Sequence, residues 1–214
     1  RQVSGRGRRG RPWHSPKGSG IWMSILLRPQ IHPMSASMLT LVAAMAVYDA
    51  ISSRVEGCAI KWPNDIVIDG RKVCGILTEM SSELDNIHYV VIGIGINVNT
   101  DDFPEDIASV AASMHVITGA YYKRAEIIAD TWKAFEKYYD LFVQTENLAL
   151  MVDAYNQRLV NMDRRVMIEE RGHRYEGTAR GIDAEGALLV ERDDGTTTSV
   201  ISGEVSVRGV LGYV

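Results

Sequence analysis

The sequence predicts an α+β chain: a mixed or antiparallel sheet packed with helices, followed by a small β-barrel. Three observations carry that expectation. Asp69-Gly70 sits between two apolar runs, which marks a tight hairpin and hence antiparallel pairing. The central strands come as hairpins and do not alternate with helices, which disfavours a doubly wound sheet. From about residue 162 the texture changes to short alternating runs, with turns at Arg171-Gly172, Glu185-Gly186 and Asp194-Gly195. Closely spaced strands of this kind build a small barrel. The expected division is therefore 1–162 and 163–214, and a unit of about 50 residues is marginal alone and leans on its neighbour.

The elements follow in order. Residues 1–20 are rich in Gly, Arg, Pro and Ser without periodicity, and read as a loop. The run IWMSILLRP (21–29), closed by Pro29, reads as a buried strand. Residues 35–55 read as a helix, capped by Ser35 or Ser37 and followed by Gly57. That helix is apolar around most of its surface, so it should be sandwiched between layers. CAIKWP (58–63) is a short strand halted by Pro63, 65–80 is the hairpin, and 88–100 is a strand with glycines late in it. An edge position for 88–99 would let it pair between subunits, so a homodimer is one expectation. Helices are expected near 106–117 and 123–145, with a shorter one over 148–159.

Composition narrows the class. The 214 residues are 46% hydrophobic and 23% charged with net charge -4, ordinary for a soluble globular protein. Such a chain is not built to coat nucleic acid, so any basic patch must be local. Cys58 and Cys74 are too few for a disulfide framework and lack metal-ligand spacing, so they read as buried thiols of a cytoplasmic protein. No apolar run is expected to reach membrane-spanning length, and no signal peptide opens the chain. The chain begins without Met and inside what reads as a functional loop, so residues upstream are expected.

That loop holds GRGRRGR (5–11), four arginines and three glycines in succession. It satisfies G-x-G-x-x-G, but a dinucleotide turn needs a helix at the last glycine, and Pro12 and Pro16 follow instead. An RNA-binding tract would use the same arginines with Lys17, yet the aromatics available for stacking are only Trp13 and Trp22. A solvated basic turn is the commoner fate of such a stretch, and it leaves the density of arginine and glycine unexplained. An anion clamp fits better. Glycines let the backbone approach a ligand, arginines offer forks for phosphate and carboxylate oxygens, and closure strengthens both by shutting out water.

GRGRRGRPWHSPKGSGIWMS (5–24), KWPNDI (61–66), GRKVCGIL (70–77) and VIGIGINVN (91–99) together resemble the biotin protein ligase family in order and spacing. GEVSVRG (203–209) is similar to the end of that family's C-terminal barrel. The resemblance implies a sheet like that of class II aminoacyl-tRNA synthetases followed by an SH3-like barrel. It also implies an ATP-dependent ligase that makes biotinyl-5′-AMP and then biotinylates a lysine of a biotin carboxyl carrier domain. Its substrates and cofactors would be biotin, ATP and Mg²⁺.

The same resemblance suggests roles residue by residue. Lys72 would meet both the biotin carboxylate and the α-phosphate, and Arg8 would guard the adenylate; these two are the catalytic candidates. Read from its surroundings alone, Lys72 is an exposed hairpin lysine. Gln2, Gly5, Arg6, Gly75, Gly93 and Gly95 would join Arg8 and Lys72 around biotin. Arg11, Trp13, Asn64, Asp65 and Asn97 would join them around the nucleotide, with Asp65 also offered to Mg²⁺. Asn64-Asp65 is equally ordinary turn chemistry, and Trp13 an ordinary core tryptophan. Glu204 and Arg208 would reach the nucleotide or the acceptor, unless the barrel is a stability module only. The family's opening strand and its Ser/Thr-Asn element find no match here, and DNA binding finds no support in this chain. A lipoate-type ligase is the enzymatic alternative, and a nucleic-acid-binding module using GRGRRGR the non-enzymatic one.

Overall fold

The computed structural model describes residues 2–170 and 173–201. The Arg171-Gly172 turn, Glu204 and Arg208 lie outside the described residues.

The larger sheet contains β1 (Ile21–Leu27), β2 (Cys58–Lys61), β3 (Asp65–Ile68), β4 (Arg71–Ser82) and β5 (Ile87–Ile96), in the order β1-β5-β4-β3-β2. Each pairing is antiparallel. Asp69 and Gly70, at φ 49° and 75°, make the β3–β4 turn with both central residues left-handed, as a two-residue hairpin requires. β5 lies between β1 and β4. Its backbone is therefore committed on both sides, and the expected edge role in pairing subunits does not hold.

Residues Pro33–Met38 form a 3₁₀ turn leading into α1 (Leu39–Ser52). The cap is not Ser35 or Ser37: the His32 side chain accepts from Met34 N, because Pro33 has already started the turn. α1 packs on the sheet and under α3 (Arg124–Thr145), which is why ten of its residues are buried. Pro33–Ser52 is 20 residues at mean hydropathy 1.6, so a run of membrane-crossing length and composition does exist. It is 67% buried inside the protein, as suits a core helix between two layers.

The helix expected over 106–117 shrinks to α2 (Met114–Thr118). Lys72 takes the upstream backbone: its N–H donates to Val110 O and its carbonyl accepts from Ala112 N. Upstream, Ala108 N to Pro104 O and Ala111 N to Ile107 O close only isolated turns, and the continuous helix starts where the Ser113 hydroxyl caps Val116 N at 3.0 Å. Likewise α4 covers only Val152–Asn156, since Leu159 bridges to Ile60 of β2. A second antiparallel sheet follows, β6 (Arg165–Glu170), β7 (His173–Ile182), β8 (Leu188–Glu191) and β9 (Thr197–Val200), paired in sequence order.

Candidate active site

One face of the larger sheet is solid and the other is bare. In β5, Ile92, Ile94 and Ile96 are buried in the core, and strand alternation turns Gly93 and Gly95 the opposite way. Register sets Gly75 and Trp22 beside Gly95, and Leu77 and Ser24 beside Gly93. This glycine face floors a cavity of about 810 Å³.

Lys72 reaches the floor through a β-bulge. Opposite β3, the partners step from Ile66↔Cys74 to Val67↔Lys72, leaving Val73 without a counterpart. Residues three apart on a regular strand face opposite ways; the extra residue brings Lys72 to the side of Gly75. A Cβ on Gly75 would lie 3.2 Å from Lys72 Nζ. Asp65, directly opposite Gly75, holds that ammonium at 2.6 Å from its Oδ1. The pair is largely shielded, with side chains 24% and 11% exposed.

The Lys61-to-Asp65 segment is tied on two sides. The Asn64 side-chain amide donates to Ile76 O at 3.0 Å, and Ile76 N returns a bond to Asn64 O at 2.9 Å. The Trp62 indole donates to Gly186 O at 3.0 Å, in the turn between β7 and β8. Lys61 is buried and lines the cavity.

The N-terminal loop lies over the floor. It doubles back through an Arg6↔Pro12 bridge and bonds from Gly7 N to Arg11 O and Trp13 N to Gly5 O. Trp13 rests across two glycines: a Cβ on Gly95 would meet its ring at 2.7 Å, and one on Gly75 at 2.9 Å. The edge of Trp22 faces it at 6.2 Å, and Lys72 Nζ stands 5.5 Å from its ring centre. The Trp13 indole N–H is buried and finds no acceptor among the described residues.

Gln2, Arg6, Arg8, Arg11, Trp13, Asn64, Asp65, Lys72, Gly75, Gly93, Gly95 and Asn97 all line this cavity. Gly5 stands just behind the lining; a Cβ there would sit 2.7 Å from the Trp13 carbonyl, so this glycine serves the loop's return. Asn97 is buried and spends its side-chain amide on Ala112 O at 3.2 Å. Gly93 has open space, with Leu77 O the nearest atom to an added Cβ at 3.6 Å. Sequence reasoning missed the rim formed by Phe103, Ile107, Val110 and Ala111, and the wall formed by Met167, Glu169 and Arg174. Trp22, Ser24, Leu77, Glu79 and Val91 were also missed, although counting by twos from the glycines would have found them.

The electrostatics suit anions. Six basic residues (Arg6, Arg8, Arg11, Lys61, Lys72, Arg174) line the cavity against three acidic ones (Asp65, Glu79, Glu169), in a chain of net charge -4. The patch is local, as the composition requires. No group of three metal-ligating side chains occurs among the described residues, and Asp65 Oδ1 is engaged by Lys72.

Residues 1–97 match the model of the biotin/lipoate A/B protein ligase family, and residues 162–208 that of the biotin protein ligase C-terminal domain. The bifunctional ligase/repressor BirA of Bacillus spizizenii is 43% identical over 201 residues, covering 91% of this chain and 61% of that protein. This chain thus spans about three fifths of the length of that relative. The biotin–[acetyl-CoA-carboxylase] ligase of Paracoccus denitrificans is 33% identical, covering 88% of this chain and 80% of that one. The biotin protein ligase of Aquifex aeolicus in complex with biotin and ATP superposes with a TM-score of 0.85 at 29% identity, over 98% of this chain and 86% of that one. A lysine set on a glycine floor, an arginine loop above it and relatives matched along nearly the whole sequence lead to one conclusion: the chain belongs to the biotin protein ligase family.

Proposed function

We propose that the protein activates biotin with ATP and transfers the biotinyl group to a lysine of a biotin carboxyl carrier domain. The observation that carries this reading is the Lys72 ammonium, held by Asp65 on the glycine floor beneath the arginine loop. An oxygen of the biotin carboxylate attacks the α-phosphorus, the bond to the α–β bridging oxygen breaks, and pyrophosphate leaves. The two reactants are both anions, and their repulsion in a site shielded from water costs several kcal/mol unless cations intervene. Lys72 supplies one such cation at the junction, and Arg6, Arg8 and Arg11 close over it. In the second step the neutral amine of the carrier lysine attacks the activated carbonyl. AMP departs with its oxygen, and the ammonium formed loses a proton to leave the amide.

Asp65 holds the Lys72 ammonium in place on the floor. Mg²⁺ would enter with the triphosphate, since the described residues offer no cage of their own. We divide the chain functionally near residue 162, with the catalytic floor before it and the C-terminal sheet after.

Biotin-dependent exchange of labelled pyrophosphate into ATP by the full-length protein tests the first step. Transfer of labelled biotin to a carrier domain tests the second. Calorimetry with biotin and lipoate separates the two ligand classes: tight lipoate binding without biotin binding ends this assignment. Salt-sensitive RNA retention that survives Lys72→Ala, with no exchange activity, would favour the nucleic-acid reading.

A further inference from the structure

We propose that Trp62 is a positioning residue: it clamps the C-terminal sheet as a wall of the cavity, and Arg174 on that wall contacts the phosphates of the bound nucleotide. This inference rests on the reading that the cavity takes ATP.

Trp62 is 2% exposed and lies at the edge of the cavity lining. Its N–H donates to Gly186 O at 3.0 Å, and its backbone N–H donates to Asn161 Oδ1 at 3.2 Å. Just before it, Ile60 N bonds to Arg158 O and Val160 N to Ile60 O, so the approach to the second sheet is zipped to β2. Two residues after it, Asn64 exchanges two bonds with Ile76, next to Gly75 of the floor. The span from Trp62 to Asn64 therefore ties the C-terminal sheet to the glycine floor at a fixed spacing.

The tie matters because the wall faces the cavity. Met167, Glu169 and Arg174 line it from β6 and β7. Arg174 lies opposite Glu169 in register, with Nε 2.9 Å from its Oε2, and its side chain is 68% exposed. An exposed ion pair is weak, so a phosphate can draw the guanidinium from Glu169 at little cost. A planar fork suits that task. Leu148 N to Ala184 O and the two bonds between Asn156 and Ile182 anchor the same sheet elsewhere, so loss of the Trp62 bond would shift the wall at the Gly186 turn and weaken the Arg174 contact.

The test is a double-mutant cycle on ATP kinetics in the full-length protein. Arg174→Gln is expected to raise the KM for ATP roughly three- to tenfold with kcat unchanged. Trp62→Phe, which keeps the ring and removes the donor, is expected to raise it to a similar extent. The double variant should be no worse than the worse single one, because both changes remove the same contact. Additive effects, an unchanged KM in Arg174→Gln, or equal losses in kcat and kcat/KM would each overturn the proposal. Should Trp62→Phe fail to fold, Arg174→Gln decides alone. Wild-type exchange activity is measured first: its absence refutes the ligase reading, whereas its presence with a null cycle refutes only the clamp.

Discussion

Lys72 and Gly75 stand three residues apart on one strand and still share a face, the ammonium lying where a Cβ on the glycine would come within 3.2 Å of it. The bulge at Val73 makes this possible, and Asp65 opposite Gly75 completes the arrangement with its 2.6 Å ion pair. Three expectations follow from this floor and the loop above it, and a fourth from the two thiols.

Lys72→Ala should slow pyrophosphate exchange by about 10²- to 10³-fold, the usual loss when a preorganised charge is removed from a transition state. Lys72→Arg should not restore it, because a planar guanidinium cannot replace a compact ammonium against the floor. Asp65→Asn keeps the shape and removes the holding charge, so its loss should be smaller than that of Lys72→Ala. Exchange at the wild-type rate in Lys72→Ala would remove the central claim.

The three floor glycines should not respond alike. Gly95→Ala places a methyl 2.7 Å from the Trp13 ring and should expel it, changing tryptophan emission and lowering the melting temperature. Gly75→Ala meets both Trp13 and Lys72 and should do the same. Gly93→Ala has room, so its melting temperature should stay level or rise, by up to about 1 kcal/mol of stability. Equal destabilisation by all three would contradict the packing described.

Trp13 covers the floor with its indole N–H unpaired among the described residues, a costly state for a buried donor. A ligand that reaches Gly75 and Gly95 must move that ring. Emission from wild-type protein should therefore change when biotin and ATP are added, and the change should vanish in Trp13→Phe. An identical response in both proteins would show that Trp13 stays where it is.

The thiols should be silent. Burial pushes the Cys58 thiol up from 9.0 to about 12, and Cys74 moves the same way through burial and then the charge of Asp65. Neither should react with a thiol reagent at pH 8 until denaturant is added. The folded protein holds these protons more tightly than the unfolded chain does. Their contribution is therefore complete below pH 9 and is lost as the pH rises towards 12. Denaturation midpoints that rise through that range, or prompt labelling of the native protein, would contradict this.

Much of the floor was legible because strand alternation is a short-range rule. The IGIGI run announces one apolar face and one empty face, and Asp69-Gly70 fixes where the hairpin folds. The side chosen by Lys72 was not legible, since a plain count from Gly75 sends it to the core; the bulge depends on Val110 and Ala112 taking its backbone groups. The same long-range pairing hid the late start of the helix expected at 106–117. Arg174 and Glu169 were invisible for a related reason: nothing near them in the chain reports that Trp62 draws their sheet to the cavity.

The split personality of β5 has a practical side. Its even-numbered isoleucines carry the architecture, while Val91, Gly93 and Gly95 line the cavity, Gly95 beneath Trp13. A library restricted to Val91 and Gly93, with Gly95 left under Trp13, would reshape the trough without asking the scaffold to repack, so selection there samples chemistry more than foldability.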